Sequence, residues 1–181
     1  MEILYFQNMR LCWIRLWVVR LKSVLKYIFL FLTGGCIYYL IEVLWRGYSH
    51  WSMFILGGIC FVLIGLINIL FSWKTLLEVQ MLIGSCIITT LEFLTGCIVN
   101  LLLGFHVWDY SDLPLNILGQ ICIPFSIIWF FISGIGIVLD DYIRYIFFKE
   151  EKPKYFLLIS KERNWLYWII GNLKHQKYFY I

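Results

Sequence analysis

From Tyr27 to Trp45 the chain is apolar with a single charge, Glu42, and Arg46-Gly47-Tyr48-Ser49-His50 then makes a short polar break. Trp51 to Ser72 carries no charge and closes at Trp73-Lys74. Leu76 to Gly104 is longer and carries two acids, Glu78 at its start and Glu92 near its middle. His106 to Pro114 is the densest polar stretch, and Leu115 to Leu139 is again apolar. Asp140-Asp141-Tyr142-Ile143-Arg144 marks where this last run leaves the hydrocarbon. A helix needs roughly 20 mainly apolar residues to cross a bilayer, and the third run is long enough to do so tilted. The pattern predicts an all-α integral membrane protein, with a four-transmembrane-helix bundle over 27–148 and spans about 27–45, 51–72, 76–104 and 115–139.

The flanks differ from this core. Residues 9–26 set Arg10, Arg15, Arg20, Lys22 and Lys26 among Leu11, Trp13, Ile14 and Trp17, which reads as a basic interfacial segment or a basic extension of the first span. Residues 149–181 form an aromatic tail, expected on the cytoplasmic surface with Trp165, Tyr167 and Trp168 at headgroup level. Glu2-Ile3-Leu4-Tyr5-Phe6-Gln7 resembles the recognition pattern of a viral processing protease used to remove tags. Met9 is then a candidate native start, and residues 1–8 are set aside as a tag remnant.

Composition and charge narrow the class. The chain is 62% hydrophobic and 14% charged with a mean hydropathy of +0.82, whereas a soluble domain has about 45–50% apolar and about 25% charged residues. A soluble globular enzyme is excluded. Of the 15 Lys and Arg residues, all but Arg46 precede the first span, follow the fourth, or lie between the second and third. Basic residues accumulate on the cytoplasmic side, so both termini are expected inside a bacterial cytoplasmic membrane, with the 46–50 turn and the 105–114 loop outside. A basic rim facing anionic lipid accounts for the net charge of +4 without a nucleic-acid partner. The six cysteines sit in or beside apolar runs and read as small apolar fillers. No C-x-x-C pair or zinc-type spacing occurs, so neither a thiol metal site, a disulfide nor a cofactor is expected.

Two hairpins show an internal likeness. A shift of 50 residues aligns Gly34-Gly35-Cys36-Ile37 and Glu42 with Gly84-Ser85-Cys86-Ile87 and Glu92. Ile55-Leu56-Gly57-Gly58-Ile59-Cys60 aligns with Ile117-Leu118-Gly119-Gln120-Ile121-Cys122 in turn. Read as a parallel repeat of the kind found in transport folds, this sets Glu42 and Glu92 at equivalent depths. Acids in hydrocarbon usually face a bundle interior or a wet cavity, so a shared cation, proton or polar-substrate site is one reading. The plainer reading pairs Glu42 with Arg46, four residues on along the same helix face.

The stretch His106-Val107-Trp108-Asp109-Tyr110-Ser111-Asp112-Leu113-Pro114 offers a second candidate site. With Arg46, Tyr48 and His50 on the same expected side, its carboxylates and histidines can hold a cation, bind a head group or move protons. Tyr and Trp are also ordinary interface anchors, and Asp beside Pro is ordinary turn chemistry. No nucleophile elbow, H-E-x-x-H or Walker motif is present. The small size suggests a homodimer or a partner subunit, and small residues at Gly57, Gly58 and Gly65, or at Gly134 and Gly136, would permit close helix contact.

Leu91-Glu92-Phe93-Leu94-Thr95-Gly96, followed by Trp108-Asp109-Tyr110-Ser111-Asp112-Leu113-Pro114-Leu115-Asn116, Gly119, Ile121-Cys122 and Ser126, resembles the signature of the bacterial family called Putative ABC-transporter type IV. The resemblance covers about residues 30–145 and implies a small polytopic helical protein, a transporter's membrane subunit with a separate ATPase. The family often has Arg where this chain has Gln120, so that a charge partner for the acids is either missing or supplied by Arg46. The first functional reading is a permease-like or channel-like component, a homo-oligomer, that handles a small solute or ion. Its expected site is Glu42, Arg46, Glu92, His106, Trp108, Asp109, Tyr110, Asp112, Asn116 and Gln120. The alternatives are a membrane-embedded enzyme acting on a lipid or envelope precursor, with His106 and Asp109 at the interface, and a regulatory or assembly protein without transport.

Overall fold

In the computed structural model the residues described are 2–71 and 75–157, with side chains from residue 20 onward. The protein is mostly helical: α1 (Glu2–Arg46), α2 (Trp51–Gly65), the short α3 (Ile67–Leu70), α4 (Leu77–Gly96) with a π-helical turn (Cys97–Leu102), and α5 (Ile123–Phe148). Four stretches are long and apolar enough to cross a membrane: Arg20–Arg46, Trp51–Leu70, Leu77–Leu102 and Ile123–Phe148. The shortest has 20 residues, about 30 Å of helix and the thickness of the hydrocarbon. The basic 9–26 segment belongs to the continuous helix α1. The tail anchors Trp165, Tyr167 and Trp168 lie outside the described residues.

The chain divides into two compact units, Met1–Val62 and Leu63–Ile181. Within the first, α1 and α2 run antiparallel from the turn at Gly47, whose φ is +80°. Lipid is as apolar as a leucine side chain, so membrane helices associate through close packing and hydrogen bonds. Here glycines supply the closeness. Gly34 and Gly35 of α1 receive Phe61 and Phe54, and Gly57 and Gly58 of α2 receive Tyr38 and Phe31. Phe31 and Phe54 meet edge to face at 5.9 Å.

Within the second unit α4 and α5 are antiparallel, with Met81 beside Gly134, Gly84 beside Ser133, and Thr89 within hydrogen-bond reach of Ser126. Ser133 Oγ donates to the Met81 carbonyl at 2.9 Å and Ser85 Oγ to the Ser126 carbonyl at 2.8 Å. The end of α2 joins them, since Gly65 lies against Asp140 and Ile64 against Gly84 and Gly136. The glycines expected to permit close helix contact, Gly57, Gly58, Gly65, Gly134 and Gly136, each receive a side chain of the same chain.

Two helix boundaries differ from the sequence expectation. The fourth span was expected from Leu115, but α5 begins at Ile123. Leu115, Leu118 and Gly119 have φ of +54°, +53° and +68°, which no right-handed helix tolerates. Residues 116–117 and 121–122 pair as a two-stranded antiparallel ribbon, β1 and β2. Pro124 then lies in the first turn of α5, where its missing N–H costs nothing. The third span, expected as one helix through Gly104, keeps α-helical geometry only to Gly96 and widens into the π turn.

Candidate functional site

The inward face of α4 is drawn by a residue every four positions: Gln80, Gly84, Ile88, Glu92, Gly96 and Asn100 are all buried. At 3.6 residues per turn such a row drifts about 40° per step. The π turn at 97–102 hydrogen-bonds over five residues, as from Leu103 N to the Ile98 carbonyl. Each of its residues advances by a smaller angle, which holds Asn100 on the face it would otherwise leave.

Glu92 lies ten residues before Leu102, about 15 Å inside the end of the helix. Only 2% of it is exposed. Its two carboxyl oxygens accept from different elements: Trp129 Nε1 of α5 donates to Oε2 at 2.8 Å, and Tyr110 OH donates to Oε1 at 3.0 Å. Tyr110 belongs to the segment between α4 and α5, and its ring stacks on Phe125 with centroids 4.6 Å apart. The segment therefore reaches back among the helices and touches an acid deep within one of them.

A second polar layer seats that segment. Asn100 Nδ2 donates to the Trp108 carbonyl at 3.0 Å and to Gln120 Oε1 at 2.8 Å, while Asn100 Oδ1 accepts from Val107 N at 2.7 Å. Trp108 Nε1 donates to the Gln120 carbonyl at 3.0 Å. Gly96 leaves the room for this: a Cβ there would stand 2.5 Å from Gln120 Oε1 and 3.0 Å from Trp108 Cζ2. Trp108 and Gln120 are thus buried anchors of this interhelical segment, which caps Glu92.

The other polar residues of the segment tie it to itself. Asp109 Oδ1 accepts from Ser111 N at 2.9 Å and Ser111 Oγ at 2.6 Å. These bonds hold its carboxyl below the ordinary aspartate value, with a smaller contribution from His106. Asn116 Nδ2 donates to the Ser111 and Leu113 carbonyls, and its Oδ1 accepts from Gly119 N. His106 and Asp112 are exposed, and His106 has a φ of +48°.

Glu42 has a different setting, one turn from the end of α1. Arg46 Nη2 donates to Glu42 Oε1, and Ser49 Oγ donates to Oε2 at 2.5 Å. Arg46 also lies over the Tyr48 ring. Glu42 is thus ion-paired near a helix end, while Glu92 is deep in its helix with Tyr and Trp donors.

The family pattern described as Putative ABC-transporter type IV matches residues 29–160. The chain belongs to this family. The match includes Glu92, its two donors and the whole cap. Searches of curated proteins and of solved structures found no match. With its four apolar helices, the family member is a membrane protein of ABC-transporter-related type.

Sequence reasoning missed three groups of residues. Asn100 and Trp129 sit inside apolar runs; the signal for Asn100 was its spacing of eight from Glu92 on one helix face. The third group lies at the other end of α5, where Arg144 Nε pairs with Asp140 Oδ2 in a buried salt bridge. Asp141 Oδ2 there accepts from Asn68 Nδ2 at 2.5 Å and Tyr155 OH at 2.8 Å. Burial first, and then donation to Asp141, raise the Tyr155 phenol above its ordinary value. The stretch expected to mark the exit from hydrocarbon lies within α5, which runs on to Phe148, and its Asp140, Asp141 and Arg144 are buried.

Proposed function

We propose that the chain is a permease-like component of a bacterial cytoplasmic membrane, with both termini inside, in which Glu92 is the ionisable site on the path of a proton or small cation. One observation carries this reading: a buried intramembrane carboxyl receives one hydrogen bond from a helix, through Trp129, and one from an interhelical cap, through Tyr110. Intramembrane acids are costly and commonly mark ion pathways or proton relays. A donor carried on a cap can leave while the helix donor stays, which opens one carboxyl oxygen to an incoming cation or proton. Trp108 and Gln120 hold the cap in register, Asp109 and Asn116 keep its turns, and His106 and Asp112 face solvent at its rim. Glu42, neutralised by Arg46, serves the end of α1. Self-association and a separate ATPase subunit belong to the same proposal, the latter on the family's name.

The test is flux of protons and monovalent cations into liposomes holding the purified protein, compared among the native chain, Glu92→Gln and Glu42→Gln. Glu92→Gln is expected to abolish flux in a folded protein, and Glu42→Gln to retain most of it. Flux that survives Glu92→Gln, or none above empty liposomes from the native chain, overturns the assignment.

A further inference from the structure

The buried network at the far end of α5 opens onto a cleft of about 390 Å³. Its polar wall is Asn68 of α3, Asp141 and Arg144 of α5, and Lys149, Glu150 and Glu151 just beyond the helix. Asn68, Asp141 and Arg144 are each more than nine-tenths buried, at 7%, 5% and 2% exposure. Asn68 spends its amide N–H on Asp141, and its Oδ1 accepts no hydrogen bond among the described residues. A buried acceptor left without a donor is destabilising, and a ligand that brings N–H groups removes that cost.

Charge says what kind of donor fits. Arg144 pairs with Asp140 behind the wall. With Asp140 counted, four carboxylates, Asp140, Asp141, Glu150 and Glu151, stand against two cations, Arg144 and Lys149, so the cleft favours a cationic group with an anionic group beside it. Quaternary ammonium ions carry no N–H and are recognised by aromatic cages; among the described residues no aromatic side chain lines this cleft. Ile69 completes the described lining, and Ile69 and the two residues that follow it in the chain, Leu70 and Phe71, are exposed apolar side chains. In a chain whose helices cross a bilayer, such side chains meet acyl chains.

We propose that this cleft binds a primary ammonium carried beside a phosphate, the chemistry of an ethanolamine phosphate headgroup. The ammonium N–H groups satisfy Asn68 Oδ1 and the carboxylates, and Lys149 meets the phosphate. The site is separate from Glu92 and stands whether or not the chain conducts ions.

The test is native mass spectrometry of the full chain in detergent, with phosphatidylethanolamine, phosphatidylcholine and phosphatidylglycerol of identical acyl chains, and with free phosphoethanolamine. The ethanolamine lipid should be retained about tenfold over the other two, the scale of one hydrogen bond to a charged group. The double variant Glu150→Gln/Glu151→Gln should bring its retention down to that of the choline lipid, with the melting temperature in detergent reporting on folding. Lys149→Gln, an independent variant, should weaken ethanolamine-lipid retention severalfold. Binding of free phosphoethanolamine as tight as that of the lipid identifies a soluble source, and binding of the lipid alone a membrane source; either upholds the proposal. Equal retention of the ethanolamine and choline lipids by the native chain, or an unchanged preference in folded variants, overturns it.

Discussion

At the scale of single residues, the cap depends on side chains that spend their polarity locally. Asp109 faces water yet holds a turn, because its carboxylate accepts both the amide and the hydroxyl of Ser111. Those bonds favour the charged form in the folded loop, which lowers the pKa. A lowered pKa means that the contribution is present above the unfolded value, about 3.9, and is lost as pH falls through the lower folded value. Amide exchange at Ser111 is therefore expected to accelerate as pH drops below about 4 relative to the intrinsic rate, and Asp109→Asn should remove that acid step. Hydrogen exchange followed by mass spectrometry across the acid range checks both. Gly96 acts by what it lacks: any side chain there would occupy the space of Gln120 and Trp108.

At the scale of elements, α4 and its π turn form one device. The turn brings Asn100 under Val107, Trp108 and Gln120, and three hydrogen bonds follow from one side chain. Asn100→Ala strips all three and leaves buried groups unsatisfied, at about 1–3 kcal/mol for each. A lower melting temperature and faster amide exchange over residues 105–120 are expected, with α1 and α2 up to Val62 unaffected because they belong to the other unit. Exchange that rises equally in α2 would show that the effect is global unfolding instead. At the opposite end of α4, Leu77 N donates to the Phe156 carbonyl at 2.8 Å, and Tyr155 reaches Asp141. The chain beyond α5 is thereby tied to the start of α4, beside the buried Asp140–Arg144 pair.

At the scale of the whole molecule, orientation is the property that charge counting addresses most directly. Cysteine reporters placed at Asp112 and at Lys152 in a background without the native cysteines should be labelled by an impermeant maleimide from opposite sides, Asp112 from outside intact cells. Labelling of both from one side overturns the assigned orientation. The four spanning stretches follow from the sequence alone, because 20-odd apolar residues with few charges have no soluble fold to enter. Glu92 was also legible, since a charge in the middle of an apolar run stands out without any knowledge of neighbours. Its surroundings were not. Trp129 looks like one more aromatic in an apolar helix, and Tyr110 like an interface anchor, until the chain between α4 and α5 folds inward. That inward path depends on left-handed backbone at Leu115 and Leu118, residues whose type gives no warning of it. The glycines carried the opposite lesson: their smallness was plain, but whether they seat another copy or a neighbouring helix depends on which faces meet. The sequence by itself determined which segments leave water and which charges must be accommodated, because transfer free energy belongs to each residue. Only the tertiary structure decided which groups satisfy those charges, because hydrogen bonds depend on distance and angle between residues far apart in the chain.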